Sequence, residues 1–260
     1  MKLSTKIMMT LVIAGIVCIV SIFSFLRGCS TNVEEWKEVS PITREIILTD
    51  CDILNFNMDF ESPTGNNVII KGKSDIVFMH CDTIDKPVLV ISETFADGVE
   101  FTTGNDSELT VNIHPAGSLY QCKDSSNITL MLPEIPNNIN VYMPSSLRAN
   151  FKNIATDSLN ITFSSRIKCS FYNDSIAYLK IRDNGDAKFF YSHIASLHYN
   201  GTGDNNQINL FAEDGSKINS LELTGKNYEC DVRGIDTRCI TVVPDSASWI
   251  NLLSIYKYGD

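Results

Sequence analysis

Acidic side chains crowd successive turns in the second half of the chain, and their spacing raises the question of carboxylate chemistry. Four of them are Asp183, Asp186, Asp204 and Asp214. Carboxylate oxygens in turns that repeat in space could bind Ca²⁺ or the hydroxyl groups of a glycan. Cleavage of a glycan needs a carboxyl pair at a defined separation, which a sequence does not give. We predict a solvated acidic surface without metal or cofactor; the alternative is a carbohydrate-active enzyme, a polysaccharide lyase or glycosidase.

No other group of residues in the sequence forms a recognisable catalytic motif. The histidines are His80, His114, His193 and His198, and none belongs to an H-E-x-x-H zinc motif. The sequence also lacks the Gly-x-Ser-x-Gly motif of a serine nucleophile. We therefore predict that the chain is not an enzyme and has no catalytic residues.

Two aromatic residues are the best candidates for binding rather than catalysis. Tyr172 and Phe190 fall on the outward register of predicted strands, whereas Tyr199 falls on the inward register. Together with the four aspartates, these two side chains define a predicted acidic and aromatic surface for a glycan or for an envelope protein.

The elements that must position these side chains are short strands recurring roughly every 20 residues, a spacing typical of stacked repeats. In each strand, apolar and mostly polar residues alternate, as in a half-buried strand. The centres of the first column are Ala149, Cys169, Phe189, Leu210 and Cys230. The second column is Ile139/Val141, Leu159/Ile161, Leu179/Ile181, Leu197/Tyr199, Leu221/Leu223 and Ile240/Val242.

Two strands and two turns per repeat predict an all-β chain in which each repeat is one coil of a β-helix, or β-solenoid. We place the coils in residues 119–260, where Ser246–Tyr258 forms a short helix or last strand that caps the open end. Residues 31–118 contain strands without a clear repeat. They are predicted to form either an antiparallel layer packed on the solenoid or irregular first coils.

Residues 1–30 differ in composition from the rest and predict an anchor. Lys2 and Lys6 precede an apolar run from Ile7 to Leu26, long enough to cross a bilayer as a helix. The leading lysines place the later residues outside the cytoplasm. The segment is either an uncleaved signal anchor or a lipoprotein signal that ends at the lipid-bearing Cys29. Both alternatives predict a membrane-anchored protein of the cell envelope, in the periplasm or on the outer-membrane surface.

The overall charge argues against one large class of partners. The chain has 260 residues and a formal net charge of −10. Phosphate backbones are bound by basic patches, so an acidic chain is not expected to bind nucleic acid.

Several segments resemble one family of exported bacterial proteins, the "putative adhesin" family with a GIN-head domain, which occurs in Gram-negative bacteria. The similar segments are Ile47–Phe56, Asn67–Asp75 and Ser107–Ile113, followed by the repeats and by one glycine-rich turn that begins at Gly201. The resemblance extends over residues 41–243. It implies a right-handed β-helix with an adhesin-like function.

Overall fold

The computed structural model describes residues 35–256, apart from 73, 105–106, 124–127, 165–166, 183–184, 214 and 247, and apart from the side chains of 202–206, 237 and 254–256. The chain divides into two compact units, Met1–Trp36 and Lys37–Asp260. The predicted membrane segment and Cys29 lie outside the described residues. Within those residues, no helix has the length and apolar character needed to span a bilayer.

The described part of the second unit is almost entirely β-structure. A helix of four residues, α1 (Glu93–Ala96), and a 3-10 turn at Thr237–Cys239 are the only described helices. The strands are β1 (Lys37–Glu38), β2 (Thr43–Ile47), β3 (Ile53–Met58), β4 (Ile69–Gly72), β5 (Asp75–His80), β6 (Val88–Ser92), β7 (Val99–Thr103), β8 (Glu108–Ile113), β9 (Leu119–Cys122), β10 (Ile128–Leu132), β11 (Asn138–Tyr142), β12 (Arg148–Lys152), β13 (Ala155–Phe163), β14 (Lys168–Tyr172), β15 (Ser175–Arg182), β16 (Asp186–Phe190), β17 (His193–Glu213), β18 (Lys217–Ile218), β19 (Leu221–Arg233), β20 (Ile240–Pro244) and β21 (Ile250–Tyr256).

Most strands belong to two ladders of parallel strands. Ladder A contains, in spatial order, β10, β5, β12, β14, β16, the second halves of β17 and β19, and β21. Ladder B contains β8, β3, β11, β13, β15, the first halves of β17 and β19, and β20. Because β17 and β19 run through both ladders, the two form one 18-stranded sheet. A separate three-stranded sheet contains β1, β9 and β4.

Antiparallel strands extend each ladder at its N-terminal end. In ladder A, β6 pairs with β10 and β2 pairs with β6; in ladder B, β7 pairs with β8. The parallel strands β3, β5 and β8 also come from residues 31–118, so this region continues both ladders. At the other end, the segment predicted as a cap contains the strand β21 rather than a helix.

The register confirms the predicted inward columns in part. Cys169 pairs with Ala149 as predicted, but its partner on β16 is Ala187 rather than Phe189. The next step pairs Leu210 with Val232 rather than Cys230. In ladder B the predicted column holds from Leu159 to Ile240, whereas Ile139 pairs with Ile161 instead of Leu159. A shift of two residues preserves the alternation of inward and outward side chains, so the pattern alone could not detect it.

The inward side chains of both ladders form one hydrophobic core. Its largest regular feature is a column of phenylalanine rings along ladder A. Phe78 stacks on Phe151 with centroids 5.1 Å apart, and Phe171 lies 4.9 Å from both Phe151 and Phe189. The interplanar angles in this column are 12° to 14°. Aligned rings of this kind result from in-register parallel pairing and stabilise it.

The turns that lead from ladder A to the next strand of ladder B are built alike. Each contains a residue with a positive φ: Asn153, Asn173, Tyr191 and Gly215. After Asn173, Tyr191 and Gly215, the next side chain accepts a backbone N–H from the preceding turn. Asp174 Oδ1 accepts from Ile154 N at 2.6 Å, Ser192 Oγ from Asp174 N at 3.2 Å, and Ser216 Oγ from Ser192 N at 3.1 Å. These bonds satisfy buried backbone donors at every step.

Of the three accepting side chains, only Asp174 has a carboxyl group. It is buried, with 2% of its surface exposed. Burial raises its pKa to about 8, although hydrogen bonds with the backbone of Ile154 and Tyr172 oppose the shift. Its second oxygen, Oδ2, is buried without a hydrogen-bond partner among the described residues. The neutral carboxylic acid is therefore the form favoured by the fold at neutral pH.

Two glycines allow β17 and β19 to approach closely where both strands pass between the ladders. Gly225 has φ +113°, and a Cβ there would lie 1.9 Å from the carbonyl oxygen of its partner Gly201. We expect Gly225→Ala to lower the free energy of unfolding by about 3 kcal/mol, since it adds a backbone clash to an unfavourable φ. Urea denaturation measures the loss.

Gly65→Ala is the matched control for this prediction. Gly65 has φ +79°, but no atom lies within 4 Å of the position of a Cβ. Its replacement should cost only the conformational strain, about 1 kcal/mol. Equal losses in the two variants would show that the contact with Gly201 is not what requires glycine.

Candidate binding surface

The two predicted aromatic residues lie side by side on the outer face of ladder A. Tyr172 and Phe190 are register partners on β14 and β16, with ring centroids 4.9 Å apart and an interplanar angle of 7°. On the neighbouring strand β12, the Lys152 ammonium lies 5.8 Å from the Tyr172 ring centroid. Both residues are half-buried.

A second column of the same face contains residues that the sequence analysis did not identify as a site. The Phe211 ring lies between two cations, with Lys188 Nζ at 5.5 Å and the Arg233 guanidinium at 4.6 Å from its centroid. These residues belong to β16, β17 and β19 and become neighbours only through the parallel register. We call the six side chains of the two columns the aromatic strip: Lys152, Tyr172, Phe190, Lys188, Phe211 and Arg233.

The predicted acidic residues are only partly within the described structure. Asp183 and Asp214 lie outside it, and the side chain of Asp204 does as well. Asp186 is on the outer face of ladder A, where its carboxylate accepts from the backbone N–H and the side-chain amide of Asn209 at 3.0 and 2.8 Å. Lys168 Nζ lies 3.8 Å from the same carboxylate. Asp186 therefore takes part in cross-strand bonds that fix the outer face.

The outer face of ladder B carries a pocket of about 280 Å³ with a different character. It is lined by Asn138, Asn160, Ile161, Thr162, Lys180 and Arg182. The neighbours of Lys180 across the ladder are Asn160 and His198, and those of Arg182 are Thr162 and Asn200. We call this site the basic pocket, because its two charged side chains are both cations.

His198 adjoins the basic pocket and responds to its charge. Its Nε2 lies 2.9 Å from the Thr224 hydroxyl, and its Nδ1 lies 3.3 Å from the hydroxyl of Tyr178. Burial lowers the pKa of His198; Glu222 opposes this effect, and Lys180 and Arg182 add to it. The imidazole is thus neutral at pH 7 and serves as a hydrogen-bonding group rather than a third cation.

A larger open groove of about 710 Å³ follows the turns next to the start of β13, β15 and β17. Its floor includes the small side chains Ala177 and Ala195, and His193 and Lys217 lie along one column of it. The groove has room for an extended chain but offers few charged groups.

The described residues do not assemble a metal centre. Among them, no three His, Cys, Asp or Glu side chains come together as metal ligands. His114 instead contacts Asp59, with Nδ1 at 2.7 Å from Oδ2, and His80 Nε2 lies 3.1 Å from the carbonyl oxygen of Pro133. These imidazoles are used in local contacts on the surface.

Comparison with known proteins gives structural similarity without a sequence relative. No protein-family model matches the chain, and no curated protein matches it. Membership of the GIN-head family therefore stays a prediction.

Several solved structures are similar over most of their length. A "putative adhesin" from Parabacteroides merdae is 11% identical, covers 86% of this chain and 95% of its own, and has a TM-score of 0.45. A "putative adhesin" from Bacteroides fragilis is 13% identical, with coverages of 85% and 95% and a TM-score of 0.48. A "putative lipid binding protein" from Parabacteroides distasonis is 14% identical, with coverages of 86% and 100% and a TM-score of 0.36. Similarities at these identities assign no function to the chain.

Proposed function

We propose that this chain is an adhesin-like, non-catalytic binding protein of a bacterial cell envelope, of the GIN-head type, whose right-handed β-solenoid displays a surface for glycans. The observation that carries the proposal is the aromatic strip on ladder A. It places three aromatic rings and three cations on one face in a regular array. Repetitive faces of this kind suit ligands that are themselves extended and repetitive.

The chemistry of the aromatic strip favours a polar polymer over an apolar partner. The rings of Tyr172 and Phe190 are stacked and half-buried, so each offers only part of its surface to a ligand. Lys188 and Arg233 add N–H donors next to the Phe211 ring. Sugar hydroxyls can accept from these donors while the exposed parts of the rings contact the sugar carbons.

Attachment to a membrane through residues 1–30, or through lipid on Cys29, completes the proposal. In an oxidising compartment, the cysteines of the described part would have to resist oxidation. None of the six cysteines of the described part is in a disulfide, and Cys122, Cys169 and Cys230 are buried. Burial raises the pKa of Cys230 to about 12 and that of Cys51 to about 11. Thiols with such pKa values react slowly because the thiolate is the reactive form.

Replacing both stacked rings should abolish most of the glycan binding. We expect the full chain in neutral detergent micelles to bind glycans on an array, and Tyr172→Ala/Phe190→Ala to weaken that binding at least about tenfold, the effect of losing one good aromatic contact. Both side chains lie outside the core, so circular dichroism should be unchanged. Affinity is measured by titration with the best array ligand.

Phe101→Ala is the control for surface aromatic residues in general. Phe101 is 45% exposed on β7, away from ladder A in the strand order. The Phe101→Ala variant should bind glycans with the same affinity as the unmodified chain. Unchanged binding by the double variant, or the absence of any glycan ligand, would refute the proposed function.

A further inference from the structure

We propose that the basic pocket of ladder B is a second binding site, specific for the oxyanion of an acidic sugar, either a carboxylate or a sulfate ester. This inference goes beyond the proposed function, because it assigns a separate site and a charge class of ligand. It rests on the juxtaposition of Lys180 and Arg182 with Asn138, Asn160 and Thr162 around a cavity of about 280 Å³.

The first argument is the contrast between the cations of the two ladders. On ladder A, three cations lie close to acids: Lys168 lies 3.8 Å from Asp186, Lys188 3.5 Å from Glu213, and Arg233 2.9 Å from Asp231. On ladder B, the cross-strand neighbours of Lys180 and Arg182 are all uncharged or imidazole side chains. Neither cation has an ion pair with a described residue. The pocket therefore holds two positive charges that a ligand can neutralise.

The second argument is that the two cations act on the same space. Lys180 and Arg182 alternate with the buried Ile181, so they project from the same face of β15, roughly 7 Å apart along the strand. Both also lower the pKa of His198 on the adjoining strand. Their positive potential is therefore combined at one point of the surface, although the chain as a whole carries a net charge of −10.

The third argument concerns the uncharged groups around the cations. Asn160 Nδ2 donates to Asn138 Oδ1 at 3.2 Å, and the side-chain N–H donors of Asn138 have no partner among the described residues, so a ligand can accept from them. The Thr162 hydroxyl lines the same cavity, and Tyr178, 38% exposed, lies two residues before Lys180. Amide, hydroxyl and aromatic groups next to a cation pair fit the hydroxyls and ring of a sugar that also bears an oxyanion. A guanidinium can bind a carboxylate or sulfate through two parallel hydrogen bonds.

The test uses pairs of polymers that share a backbone and differ in charge. Binding of the full chain in neutral detergent micelles is measured with dextran sulfate against dextran, and with polygalacturonate against its methyl ester. We expect binding of at least one charged polymer and no binding of its uncharged counterpart. Added salt should weaken the binding, because the cations are partly exposed.

The variants locate the binding in the pocket. Lys180→Gln/Arg182→Gln should weaken binding of the charged polymer at least about tenfold, the loss expected when charge-assisted hydrogen bonds are removed. Lys226→Gln is the matched control for Lys180→Gln: it removes one exposed lysine from β19, also in the sheet, and should change affinity less than twofold. Arg182→Lys keeps the charge but not the bidentate geometry and should give an intermediate affinity.

Each outcome decides between the alternatives. Preference for dextran sulfate identifies a sulfate ester, and preference for polygalacturonate identifies a carboxylate. Equal affinities of the double variant and the unmodified chain would overturn the inference, as would failure to bind either charged polymer. Stronger binding to phosphatidylglycerol vesicles than to both polymers would also overturn it. These results do not decide whether the aromatic strip binds glycans. The Tyr172→Ala/Phe190→Ala variant tests that proposed function separately.

Discussion

We expect the protein to lose stability between about pH 4 and pH 8, and Asp174→Asn to remove most of that loss. The folded chain holds a proton on Asp174 up to a pKa of about 8, whereas in the unfolded chain this carboxyl ionises near 3.8. Between these values the folded state binds more protons, so the free energy of unfolding falls by about 1.4 kcal/mol per pH unit as the pH rises. The stabilisation is complete below the unfolded pKa and is lost above the folded one.

Urea denaturation at pH 4, 6 and 8 measures this slope. In Asp174→Asn, the side-chain oxygen can still accept from Ile154 N, but no ionisation occurs, and the curve should be nearly flat over this range. Asp157→Asn provides the control, because Asp157 is exposed on β13. Its replacement should leave the dependence of the unfolding free energy on pH unchanged. A slope that persists in Asp174→Asn would assign the pH dependence to other groups.

Phe171→Ala should lower the free energy of unfolding by about 4 kcal/mol. Phe171 is fully buried and occupies the middle of the phenylalanine column, between Phe151 and Phe189. Its removal would lose the buried apolar surface, leave a cavity and break two stacking contacts at once. The loss is measured by guanidinium denaturation.

Phe101→Ala is again the informative comparison, since it deletes the same atoms from an exposed position. It should change the free energy of unfolding by no more than about 0.5 kcal/mol. A loss below about 1 kcal/mol in Phe171→Ala would mean that the column can collapse around the missing ring, and that its regular stacking contributes little.

The alternation and spacing of apolar residues were sufficient to predict much of the fold. They gave the all-β class and most of the ladder B column from Leu159 to Ile240. They also placed Tyr199 and Cys169 in the core, where both are buried. The register of ladder A was less accessible, because the turns differ in length and a shift of two residues leaves the alternation intact. For that reason Phe189 and Cys230 were assigned to the column that Ala187 and Val232 occupy.

The binding surface was less predictable than the fold. Tyr172 and Phe190 could be identified because each is an outward aromatic residue within one strand. Phe211 and its two cations depend on which strands are neighbours, and the basic pocket combines residues of β11, β13 and β15. The composition did not indicate the pocket either, since the net negative charge of the chain does not reveal that Lys180 and Arg182 lack acidic neighbours.

The pairing of strands close in sequence has a consequence for the order of folding. From β12 to β19, paired strands of one ladder are separated in sequence by little more than one strand of the other ladder. By contrast, β3 must pair with β11 and β5 with β12, across much longer segments. Because closing a long loop costs more entropy and slows folding, we expect the C-terminal strands to form the nucleus. The N-terminal strands would then join a template that already exists, so a chain synthesised from its N-terminus would complete its fold only after its C-terminal half is made.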